Sequence, residues 1–273
     1  MLNRSGFHPI KGVRGRWIGS SVVTTLRDSD PDPTDALSPL PSRNGSGMPV
    51  RGRLRFCYGP MDCGKSTLAL QIDHNHARQG RRGLLLVRHD RSGEPRISSR
   101  IGIARDAVEV GEDADLRELI RHEWIAGAHL DYLIVDEAQF LSAEQVEQLA
   151  ELADEVALDV YCFGIATDFR SRLFPGARRL FELADELQPV QVEVLCWCGA
   201  PGRFNARVAD GEVLREGDTV VVADTVTRGS GDAGSPHWDI EPATLRYQVL
   251  CRHHFRVGDL GPRVPRHGQL RLT

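Results

Sequence analysis

An α/β fold is predicted, a mostly parallel sheet with helices on both faces, followed by a smaller and differently built unit. Three features of the sequence carry this. Short apolar runs alternate with amphipathic stretches from about residue 53 to 185. A glycine-containing turn, "GPMDCGKS", separates the first apolar run from the first amphipathic stretch. Beyond about residue 188 the alternation gives way to short β-like runs, turns and clustered Cys and His. Strands and helices alternating at this spacing form parallel sheets covered on both faces.

Each element has its own signal. "RLRFCY" (53–58) reads as a strand and "STLALQIDHNHARQ" (66–79) as a helix closed by Gly80. "GLLLVR" (83–88) and "DYLIVD" (131–136) are buried strands flanking the helix "DADLRELIRHEWIAG" (113–127). "SAEQVEQLAELADEV" (142–156) is a helix with Ser142 as N-cap and Gln145 completing a capping box. "ALDVYCFGI" (157–165) is a strand and "GARRLFELAD" (176–185) a helix. Residues 1–50, rich in Pro, Asp, Ser and Gly, lack apolar periodicity and read as a disordered tail. Met48 stands close to the first strand; either translation starts there or the tail is a real flexible extension. The expected organisation is a tail (1–50), an α/β domain (51–190), a Cys/His unit (191–258) and a flexible C-terminal tail (259–273).

Composition sets the class. Lys plus Arg number 34 against 38 Asp plus Glu, and a net charge of −4 argues against an electrostatic nucleic-acid binder. There is no apolar run of membrane-spanning length and no signal-peptide core, so a cytoplasmic globular protein is expected. Six cysteines in such a chain point to metal binding or reduced core thiols before disulfides.

Of the 34 basic residues only Lys11 and Lys65 are lysines. Lys65 stands in Gly59, Pro60, Met61, Asp62, Cys63, Gly64, Lys65, Ser66, Thr67, which fits G-x-x-x-x-G-K-[ST] with a strand before it and a helix after it. Glycines let successive N–H groups turn inward onto phosphate oxygens, and the positive helix end adds to the attraction. A compact ammonium enters such a loop where a planar guanidinium does not, so this site keeps lysine in an arginine-rich chain. The loop therefore reads as the ATP-phosphate site of a P-loop protein, with Ser66 placing its hydroxyl on Mg²⁺. Thr67 is expected to pack or cap. Cys57, Cys63 and Cys162 read as small buried residues.

"YLIVDEAQF" (132–140) ends an apolar strand in two acids. Asp136 fits the carboxylate that holds the nucleotide's Mg²⁺. Glu137, facing the crevice at a strand's carboxyl end, can take a proton from an attacking alcohol or water, and the residues alone do not choose between these. In "CWCG" and "CRHHF", Cys196, Cys198, Cys251 and His254 have the composition of a structural S₃N zinc site; His253 is the competing nitrogen ligand. His74, His76 and His89 read as surface residues.

Together these segments resemble the thymidine kinase family of the bacterial and vertebrate-cytosolic type. "GPMDCGKSTL" is similar to its phosphate loop, "ISSRIGI" (97–103) to a segment of its bacterial members, and "VDEAQFL" (135–141) to its metal-and-base motif. "CFGIATDFR" (162–170) is similar to its thymidine-contacting segment, and "CWCG" and "YQVLCRHHF" (247–255) to its zinc knuckles. The ordered set runs from about Met48 to about Val257. The resemblance implies a RecA-like P-loop domain with a zinc-tethered lasso that transfers the γ-phosphate of ATP to the 5′-hydroxyl of thymidine. It implies Glu137 as general base, Lys65, Ser66 and Asp136 as phosphate and magnesium residues, and Met61, Phe140, Ile165, Phe169, Phe174, Val221 and Tyr247 around the nucleoside. A homotetramer, feedback inhibition by thymidine triphosphate and no direct nucleic-acid or membrane partner follow from it too. The rival reading is a P-loop ATPase acting on nucleic acid. Arg170 reads either as a phosphate neutraliser or as a surface ion-pair partner. One departure is "VVVAD" (220–224), which ends in Ala-Asp where the family typically has two glycines, followed by a long Gly/Asp/Pro-rich insertion. If a metal closes the lasso base, its removal is expected to weaken thymidine binding more than ATP binding.

Overall fold

A computed structural model describes residues 51–88, 95–99, 102–127, 129–217 and 245–262. Val221, the lasso insertion, His89, residues 1–50 and residues 263–273 lie outside them.

The first strand, β1 (Leu54–Tyr58), runs into the phosphate loop, and α1 (Lys65–Arg78) follows. Next come β2 (Gly83–Val87), a hairpin of β3 (Arg96–Ser98) and β4 (Ala104–Asp106), β5 (Val108–Glu109) and α2 (Leu116–Ile125). Strand β6 (Tyr132–Asp136) leads through a 3-10 turn (Ala138–Phe140) to α3 (Ala143–Val156). The α/β part ends with β7 (Asp159–Gly164), α4 (Pro175–Leu183) and β8 (Glu186–Pro189). Its sheet has the order β5-β2-β6-β7-β1-β8, with every pair parallel. Strand β7 therefore stands between the phosphate-loop strand β1 and β6, which ends in Asp136.

Strand alternation divides the core. Leu133, Val135, Leu86 and Val160 pack with residues of α2, α3 and α4 on one face. Ile134, Tyr132, Cys57 and Phe163 pack with Ala69 and Leu70 of α1 on the other. Burying each such large side chain contributes about 1.5–3 kcal/mol. The capping box of α3 is present, with Ser142 and Gln145 bonded reciprocally at 3.1 Å. Helix α2 starts at Leu116, later than the pattern indicated, because the Asp115 side chain accepts the N–H groups of Arg117 and Glu118 and so sets the boundary.

The sequence reading also missed the β3–β4 hairpin and misplaced His76. The β3–β4 hairpin lies against α1: Ile97 is fully buried, and Arg105 pairs at 3.0 Å with buried Asp73, which accepts the Tyr132 hydroxyl at 2.8 Å. His76 is half-buried rather than superficial. It stacks 4.7 Å from the Tyr132 ring and bonds the Tyr161 hydroxyl at 3.1 Å, and burial followed by the nearby Arg81 cation lowers its pKa.

A second, antiparallel sheet has the order β10-β9-β11, from β9 (Phe204–Ala209), β10 (Glu212–Val213) and β11 (Arg246–Leu250), and is followed by α5 (Arg252–Val257). Phe204, Ala206, Val208, Leu250 and Phe255 make its small core with Cys196. Asp259, Leu260 and Gly261, expected as tail, lie against this unit: Asp259 O accepts the Trp197 indole N–H at 3.1 Å, Leu260 O accepts from Gln248, and Gly261 packs on the Trp197 ring. Among the described residues no helix is long and apolar enough to cross a membrane.

Candidate active site and metal centre

The phosphate loop leaves β1 and closes at Gly64, the N-cap of α1, with φ 80°. Gly64 answers to backbone angle and Gly59 to space, since a Cβ at Gly59 would lie 2.5 Å from Cys63 Sγ. Cys63 is fully buried beneath the loop, and Cys57 and Cys162 are buried in the strands, as expected. Burial raises the Cys57 thiol to about 11. Lys65 curls over the loop, its ammonium donating to Pro60 O at 2.8 Å. Asp62 takes a left-handed φ of 68°, uncommon for a residue with a side chain.

Ser66 Oγ donates to Asp136 Oδ2 at 2.7 Å, joining the loop to the end of β6. Asp136 is only 5% exposed; burial first, then the adjacent Glu137 charge, raises its pKa. A buried carboxylate and a hydroxyl are hard oxygen donors of the kind Mg²⁺ takes alongside phosphate. Glu137 is held in a left-handed conformation (φ 55°) at the start of the 3-10 turn. Its Oε2 accepts from Gln139 Nε2 at 2.6 Å, and Gln139 Oε1 accepts the Ile165 N–H at 3.1 Å. That second bond leaves the Gln139 amino group to face Glu137. Gly164, at the end of β7, leaves room for this amide.

The predicted nucleoside residues form two groups. Phe140 and Phe174 meet edge to face at 5.4 Å, with Ile165 against the same core. Phe174 thus serves the core whatever else it does. Phe169 is buried under the Arg207 guanidinium, 3.8 Å from its ring centroid, and Arg207 Nε donates to the Tyr247 hydroxyl at 3.1 Å. Met61 joins this second group because its N–H donates to Asn205 Oδ1 at 2.8 Å. A cleft of about 550 Å³ opens between Gly59, Pro60 and Thr167 on one side and Phe204 and Asn205 on the other. Arg170 is an ion-pair partner, 3.1 Å from Asp168, whose carboxylate also accepts the N–H groups of Arg170 and Arg172.

Gln139, Asn205 and Arg207 are absent from the sequence-based expectations. Their only sequence signal is polarity inside otherwise apolar segments: "DEAQF", and the alternation in "FNARVA".

The ligand atoms of Cys196, Cys198, Cys251 and His254 lie within 4.8 Å of one another, and His254 Nδ1 is 3.4 Å from both Cys196 Sγ and Cys251 Sγ. Tetrahedral zinc with Zn–S bonds of about 2.3 Å needs sulfurs about 3.8 Å apart, so three thiols and an imidazole here could hold a metal ion such as zinc. Trp197 stacks on the His254 ring at 4.3 Å.

The thymidine kinase family profile matches residues 52–225. The thymidine kinase of Streptomyces avermitilis is 49% identical over 203 residues, 74% of this chain and 88% of that protein. That of Cutibacterium acnes is 49% identical over 208 residues, 76% of this chain and 90% of that protein. That of Jannaschia sp. is 38% identical over 213 residues, 76% of this chain and 98% of that protein. With this coverage on a parallel α/β sheet that joins a phosphate loop to Asp136, the chain belongs to the thymidine kinase family.

Proposed function

We propose that the protein transfers the γ-phosphoryl group of ATP to the 5′-hydroxyl of thymidine, giving dTMP and ADP for DNA synthesis. The Ser66–Asp136 bond carries this reading, because it brings the phosphate loop to the strand end that bears Glu137, in a chain of this family. Loop N–H groups and Lys65 hold the β- and γ-phosphates. Ser66 and Asp136 would hold Mg²⁺, which when bound neutralises phosphate charge. Glu137 is the general base. Gln139 occupies Oε2, leaving Oε1 to take the 5′-hydroxyl proton as the O5′–P bond forms and the bond from the γ-phosphorus to the β-γ bridging oxygen breaks. Met61, Phe140, Ile165, Phe169, Phe174 and Tyr247 enclose the base and sugar. Zinc held by Cys196, Cys198, Cys251 and His254 would be structural, since four protein ligands would leave no position for catalytic water. A cytoplasmic homotetramer inhibited by thymidine triphosphate completes the reading.

A steady-state kinase assay with MgATP and thymidine, deoxyuridine, deoxycytidine or no nucleoside tests it. Thymidine is expected to give the monophosphate at a clear advantage. ATP hydrolysis at the same rate without nucleoside would return the protein to the ATPase reading.

A further inference from the structure

The small sheet touches the phosphate loop directly, and strand alternation explains how. Phe204, Ala206 and Val208 of β9 turn into the small core beside Cys196. Asn205 and Arg207 therefore turn the opposite way, and both are buried. Asn205 takes the Met61 N–H, one residue before the left-handed Asp62. A non-glycine residue in that conformation is strained and persists only where its surroundings hold it. The Asn205 amide is such a holder.

The same strand is tied to the Cys/His cluster at the Phe204 end of its ladder, through its own chain and through β11. The knuckle is closed by Cys196 N–H donating to Ala200 O at 2.9 Å, and Gly202 N–H donates to Val194 O at 2.7 Å just before β9 begins. Strand β11, paired with β9 from Phe204 to Val208, runs straight into Cys251. A bound metal would fix both approaches to β9.

We propose that Asn205 is a positioning residue for the phosphate loop, and that through it a metal on the Cys/His cluster sets affinity for the triphosphate as well as for the nucleoside. The inference rests on the reading of the loop as the ATP site. It extends the expectation that metal loss acts chiefly on thymidine binding, because the Asn205 bond falls on the Met61 backbone, which is part of the phosphate loop itself.

The experiment is calorimetric titration of MgATP, without nucleoside, into full-length wild type, Asn205→Ala and Asn205→Asp. Each is used as the zinc-loaded protein and after zinc depletion and return to magnesium buffer, with thermal melts as the folding control. Loss of one buried hydrogen bond predicts MgATP binding about five- to tenfold weaker in zinc-loaded Asn205→Ala. Depletion is expected to weaken wild type by a similar factor and Asn205→Ala by less than about twofold more. Asn205→Asp retains an acceptor oxygen and is expected to keep the response to depletion. If Asn205→Ala does not fold, Asn205→Ser, whose hydroxyl stops short of Met61, takes its place. Wild-type affinity in the folded variant, or equal responses to depletion in variant and wild type, would overturn the link. No MgATP binding by zinc-loaded wild type would instead overturn the ATP reading, and the link with it.

Discussion

Gly164→Ala adds one methyl group to a residue assigned no contact with substrate, yet it should disable the site. A Cβ there would lie 2.5 Å from Gln139 Oε1 and 3.1 Å from the Gln139 backbone nitrogen. Ordinary C···O contacts begin at about 3.3 Å, so the amide would be about 0.8 Å too close and must move. It cannot move freely, because its oxygen holds the Ile165 N–H and its amino group holds Glu137. The 3-10 turn is blocked on its other side as well: Gly176 of α4 packs so closely that a Cβ there would lie 2.7 Å from Ala138 O. Overpacking of this kind costs about 1–3 kcal/mol of stability. The larger effect falls on Glu137, since a misplacement of about 1 Å in a reacting group costs on the order of a hundredfold in rate. Turnover should fall tenfold to a hundredfold, MgATP affinity should stay within about twofold, and the melting temperature should drop by a few degrees. Steady-state kinetics with thymidine, calorimetry with MgATP and a thermal melt measure the three. A folded variant with kcat within twofold of wild type would refute the placement of Glu137 by Gln139.

Further expectations concern the base, a charge network and the core. Glu137→Gln should bind MgATP as wild type does but turn over on the order of a hundredfold or more slowly; a near-normal rate would remove Glu137 from the mechanism. Asp159 bonds Arg81 at 2.8 Å and Arg55 at 3.2 Å. Burial alone would raise its pKa, but the two guanidiniums outweigh burial and lower it below 3.8. Its stabilisation is therefore complete above that value and fades as pH falls through the lower folded-state value. Asp159→Asn should cost about 1–2 kcal/mol at pH 7, the partial exposure of the network reducing the loss, with a smaller difference from wild type near pH 3. Denaturant titrations at the two pH values check the sign, and a gap that widened in acid would contradict it. Gly83→Ala would place a Cβ 2.1 Å from the Tyr132 ring. It should destabilise by about 1–3 kcal/mol or more and loosen the Tyr132–Asp73–Arg105 chain, which amide exchange on the β3–β4 hairpin would report.

The phosphate loop, the Asp136–Glu137 pair and the S₃N cluster were legible because each is written in a few consecutive residues whose chemistry is set locally. Helix α3 was legible for the same reason: Ser142 and Gln145 cap it from within its own first turn. The β3–β4 hairpin was not, because its strands are three residues each and are held by Ile97 and Arg105 against a helix formed earlier in the chain. His76 read as a surface residue because the rings around it, Tyr132 and Tyr161, arrive from separate strands.

By itself the sequence determined the parallel α/β class, the glycine-bounded loop between β1 and α1, and a Cys/His cluster that could hold a metal, all properties of short spacing and residue type. What holds these parts in place was decided by the tertiary structure. Gln139 meets Ile165 across 26 residues and Asn205 meets Met61 across 144. Hydrogen bonds of that separation depend on sheet order and strand facing, which are settled only when the whole core packs. A buried amide is then placed by its partners and not by its neighbours in the chain.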